Sequence, residues 1–157
     1  MPNELILLTH AASGVLGCMA ALWVFIEALN GRKENAARIR TAALMTAIFI
    51  SAAWLLGGYW YVHDYPSEKA MILAGPWPFA HNVFMETKEH LFFVTGVLAL
   101  LLPIATRETV FANSAARKLV LCVSASIALT GLALEGAGAV VDHGVKVGLI
   151  RGAPKGR

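Results

Sequence analysis

Four apolar runs, each long enough to cross a hydrocarbon core as a helix, constrain this chain more than any other feature. About 20 helical residues span the roughly 30 Å interior of a bilayer. The runs cover 5–29, 41–62, 85–106 and 117–141. Hydrophobic residues make up 57% of the 157 and charged residues 15%. Soluble domains average roughly 45–50% and about 25%. The excess predicts an all-α fold: a single domain over 1–157, an integral membrane four-helix bundle running up-down-up-down and surrounded by the lipid bilayer. No cluster of Lys and Arg accompanies the net charge of +3, so no nucleic-acid partner is expected. No basic residue precedes the first run, and Glu4 has the wrong sign for a cleaved leader, so that run reads as a retained helix.

The connections give an orientation. Residues 30–40 are short and basic, with Arg32, Lys33, Arg38 and Arg40. Residues 107–116 are short, with Arg107 ahead and Arg117–Lys118 behind. Short basic connections favour the cytoplasmic side. Both termini and the 63–84 connection are then external, in a multi-pass protein of the cell inner membrane. Lys146, Arg151, Lys155 and Arg157 in the tail argue the other way. Pro66, Pro76 and Pro78 keep 63–84 from reading as regular helix, and its aromatic residues suit the membrane surface. His81 follows Pro-Trp-Pro-Phe-Ala there; a surface loop is favoured over a lid. Glu27 is one turn from Arg32 and reads as a snorkelling pair or a headgroup contact.

In this topology all five histidines fall on the outer side: His10, His63, His81, His90 and His143. At 1.5 Å per residue, His10 lies about 7 Å inside its run and Glu135 about 9 Å from the outer end of its own. A carboxylate at such depth is costly and marks a site by default. Glu135 is therefore the expected catalytic proton acceptor. His10, Gly14, Gly17, Cys18 and Ala21 form one small-residue stripe, and Ser124, Ala128, Gly131, Glu135 and Gly138 another. Such stripes let helices approach closely, and Gly14 and Gly17 also leave room beside His10 for a flat cofactor. A weaker stripe joins Ser51, Trp54, Gly58 and Tyr61. Glu86 and His90 share one helix face, a spacing that suits either a metal or a solvated first turn. Cys18 and Cys122 read as buried small hydrophobes, and the absence of C-x-x-C-H excludes covalently attached haem.

The plan of four spans, with histidines near helix ends and glycines beside them, resembles the small four-helix membrane b-type cytochromes. The resemblance implies an electron-transfer protein holding one haem b on the outer, periplasmic side. His10 and His90 form the first axial pair, and His63 with His143 the second. A quinone is expected beside the haem, with quinol protons accepted by Glu135, Glu86, Glu89 or Asp142. The expected electron partner is a larger membrane complex or a periplasmic cytochrome. Two alternatives stand beside this reading. One is a non-haem metal site of His10, His90, Glu86 and Glu135. The other is a structural accessory subunit of a larger membrane complex.

Overall fold

The computed structural model describes residues 2–107 and 110–152. Lys155, Arg157 and the Arg151 side chain lie outside what is described. Five α-helices account for most of it: α1 Pro2–Asn30, α2 Ala36–His63, α3 Tyr65–Ala74, α4 Glu86–Ala105 and α5 Ser114–Gly152. A 3₁₀ turn, Lys33–Asn35, leads into α2, and a π-helical turn, Ala80–Met85, leads into α4. Among the described residues there is no strand. Four stretches are long and apolar enough to cross a membrane: Glu4–Asn30, Lys33–His63, Ala80–Ala105 and Ser114–Ile150. The second, third and fourth extend well beyond the ranges expected from the apolar runs alone.

The four long helices contact one another in the cyclic order α1, α2, α4, α5. Their packing rests on small residues. Ala21, Ala28, Ala42, Ala43 and Ala99 are fully buried, which brings backbones close without a large side chain between them. Polar side chains in this layer are satisfied locally. Thr46 donates to the Ala42 carbonyl and Ser124 to Val120, and the Thr95 hydroxyl lies 2.9 Å from both the Leu91 carbonyl and the Thr130 hydroxyl. Outward faces carry large apolar side chains, among them Leu8, Leu55, Val97 and Leu129, each about two-thirds exposed. Such a surface is consistent with lipid contact.

Two apolar cores result. One, with Val24, Ile39, Leu102 and Ile127, fills the end near the short connections. The other, with Trp60, Tyr65, Ile72 and Met85, fills the opposite end.

Arginines lock the first of these ends. Gly31 adopts a left-handed φ of +64°, which turns the chain out of α1. The Arg117 guanidinium then reaches across from α5 to the carbonyls of Ala28 (2.9 Å) and Leu29 (2.6 Å). Arg40 does the same for the end of α4, bonding Thr106 (3.4 Å) and Arg107 (3.1 Å). Cations at helix C-termini satisfy orphan carbonyls and oppose the negative dipole end. Glu27 is buried and held by Trp23 (3.2 Å) and Arg38 (3.4 Å), not by the Arg32 its spacing suggested. Cys18 is buried as expected, but Cys122 is exposed.

The 63–84 connection is mostly helical. Pro66 sits in the first turn of α3, where its missing N–H costs nothing. The helix ends at Gly75, and Met71 and Gly75 press on the backbone of α5 at Gly148. Beneath it the π turn buries His81, which is 3% exposed. Burial, followed by the neighbouring carboxylates of Asp142 and Asp64, holds the Glu68 carboxyl above its ordinary range. A raised folded value means the protonated form is the stabilising one. That contribution is complete below the ordinary carboxyl range and is lost as pH rises through the raised value. Glu68→Gln should therefore raise the thermal unfolding midpoint at neutral pH and leave it unchanged in acid. Equal midpoints for both proteins at neutral pH would remove Glu68 from the account of α3 docking.

Candidate functional site

Between the two apolar cores lies a polar layer to which all four long helices contribute. From α1, His10 donates Nδ1–H to the Ala53 carbonyl of α2 at 2.8 Å, since a carbonyl can only accept. This fixes the neutral tautomer, with the lone pair on Nε2. The ring fits there because α2 has no side chain at Gly57. A Cβ at that position would lie 2.6 Å from His10 Cε1. Gly58, the residue in the expected stripe, has open space beside it. Gly14 makes room for the Glu135 carboxylate, and Gly17 for Ile50, rather than for the His10 ring. From α4 comes Lys88, whose ammonium lies against Gly138 of α5 and interacts electrostatically with Glu135.

Two cavities meet at this layer. The smaller, about 40 Å³, is lined by His10, Gly14, Lys88 and Glu135 among others. The larger, about 250 Å³, shares His10, Lys88 and Phe92 with it and runs between α2 and α4. Its walls are aromatic, with Trp60, Tyr61 and Phe93. Val62 and Phe93, both more than 60% exposed, border it, so it opens onto the apolar outer surface. Glu89 also lines it and is hydrogen-bonded by Tyr61.

The other expected residues lie elsewhere. His90 is exposed, its Nδ1 donating to the Glu86 carbonyl at 2.6 Å, and it lines neither cavity. His63 is exposed against the Tyr59 ring, and His143 is exposed against Trp77. Asp142 pairs with Lys146 at 2.6 Å. Among the described residues no three His, Cys, Asp or Glu side chains gather as a metal's ligands would. A scan against protein-family models, and searches of curated proteins and of solved structures, found no match.

A second polar group sits above the larger cavity. Burial, followed by nearby Tyr61 and carboxylates, pushes the Tyr65 phenol up, so it stays protonated and donates to His81 Nδ1 at 2.8 Å. His81 Nε2 then faces the half-exposed Glu86 carboxylate at 3.6 Å. Tyr65 stacks on Tyr61, which joins this group to the cavity wall.

Lys88, Gly57 and the buried His81 are the functional candidates that sequence reasoning missed. Lys88 had a signal: Lys88 and Phe92 are four apart, on the face opposite His90. Gly57→Val should push the His10 ring off the Ala53 carbonyl. The histidine side-chain NMR signals should then move while helical circular dichroism stays the same. Unmoved imidazole resonances in that variant would show that the ring does not depend on Gly57.

Proposed function

We propose that this chain is a membrane electron-transfer protein of the inner membrane, a four-helix bundle with external termini, whose larger cavity takes a quinone-type ring. One observation carries the reading: an aromatic-walled cavity with its mouth among exposed apolar side chains and with His10, Lys88 and Glu89 on its lining. Sites for small ligands are mostly apolar with a few placed polar groups. At about 250 Å³ this one suits a single ring better than a larger cofactor. Oxidising a quinol releases two electrons and two protons. Glu89 and Glu135 are candidate proton acceptors. The electrons pass to a partner, a larger membrane complex or a periplasmic cytochrome.

Haem b at His10 is the second reading, favoured by one feature. An imidazole whose Nδ1–H is held by a backbone carbonyl presents Nε2 as a metal ligand with a fixed orientation. Haem would supply one-electron redox chemistry there. The lining residues offer one axial histidine, because His90, His63 and His143 are outside it. A quinone-type ring is therefore the better match to this lining.

Titrating purified protein with a short-chain quinone tests the first reading, and a pyridine haemochrome spectrum tests the second. The expected result is saturable quenching of tryptophan fluorescence, because Trp60 lines the cavity. His10→Ala should weaken it. No quenching and no pigment would leave the non-haem metal site and the structural accessory subunit.

A further inference from the structure

We propose that the cavity is selective for the reduced, hydroxyl-bearing form of its ring ligand, with Glu89 Oε1 as the recognising acceptor. The proposal rests on the ring-binding reading above and adds the state of the ring.

Glu89 Oε1 is buried and has no hydrogen-bond partner within the described residues. The Tyr61 hydroxyl lies beside this carboxyl group. Both residues line the cavity. Buried polar atoms in folded proteins are nearly always paired, so an orphan on a cavity wall points to a missing donor. An ionised carboxylate only accepts.

His10 adds a second acceptor on the same lining. Its Nδ1–H is committed to Ala53, so Nε2 presents a lone pair. The ammonium of Lys88 lies against Gly138 of α5. Glu89 and His10 therefore both call for donors. A quinone offers only carbonyl oxygens, which a carboxylate repels. Its quinol offers a hydroxyl at each end of the ring. A site built around hydrogen bonds to a ligand's hydroxyls rejects the analogue without them, because its own polar groups are then left bare.

The experiment measures equilibrium binding, without turnover, of three probes under anaerobic conditions: a short-chain hydroquinone, its quinone and its dimethyl ether. The intact protein in detergent should bind the hydroquinone at least about tenfold more tightly than either of the others. Glu89→Gln replaces an acceptor with a group that also donates, so it should lose this preference and gain affinity for the quinone. His90→Gln, at an exposed residue outside the cavity, should keep the preference, and binding of the quinone by Glu89→Gln shows that this variant is folded. Equal binding of hydroquinone and quinone by the wild type overturns the selectivity while leaving ring binding intact. A preference for the hydroquinone that survives in Glu89→Gln overturns the role of Glu89. Failure of all three probes to bind overturns the ring site itself.

Discussion

Lys88→Met should destabilise the protein, because it removes the cation that acts on the partly buried Glu135 carboxyl. Lys88 and Glu135 lie between two apolar cores. Removing the ammonium leaves the carboxyl group against α1 at Gly14. The penalty comes from that uncompensated charge, more than from any lost attraction. Adding Glu135→Leu to Lys88→Met should therefore recover most of the loss, although two polar groups are now gone. The thermal midpoints of the two variants in one detergent decide it. If the double variant is no more stable than the single one, the cost lies in packing and the charge argument is wrong.

Arg117→Ala should be the next largest loss, about 2 kcal/mol. Hydrogen bonds from a charged donor contribute roughly 1.5–3 kcal/mol each. Two of them reach the end of α1, but the one to Leu29 is solvent-exposed and is discounted accordingly. Arg117→Lys should restore little, because an ammonium cannot span two carbonyls as a planar guanidinium does. Arg40→Ala should cost less than half as much, given its bonds of 3.4 and 3.1 Å. Chemical unfolding of the three variants gives the order. An Arg40 variant weaker than the Arg117 variant would reverse which contact closes the end near the short connections.

The spans were legible because hydrocarbon-length apolar runs have few other uses. His10 and Glu135 were legible as polar residues on stripes of small ones. Lys88 was hidden by a boundary. With the third span started at Met85, Lys88 falls in a solvated first turn, and Glu86 with His90 looks like the inward face. The π turn at Ala80–Met85 carries the helical stretch outward and places Lys88 well inside it. Two positions on, His90 then faces away. The same turn, together with α3, buries His81, which the prolines around it had marked as a surface loop. Gly57 and Gly58 could not be separated by pattern, since only the position of the His10 ring distinguishes them. The basic connections carried two meanings at once. Arg40 and Arg117 cap helix ends whichever side of a membrane they occupy, so their sign says less about orientation than their number suggested.

In the proposed membrane setting, a mouth bordered by Val62 and Phe93 is reached through the hydrocarbon phase rather than through water. Occupancy would then follow the mole fraction of ligand among the surrounding lipids. At a fixed amount of ligand, doubling the lipid would dilute it twofold, even with the aqueous volume unchanged. Ligands with longer tails would look tighter in water-based units while binding no better once seated. Arrival would depend on lateral diffusion in two dimensions, so crowding by neighbouring membrane proteins would slow loading, whereas the viscosity of the external medium would have no effect.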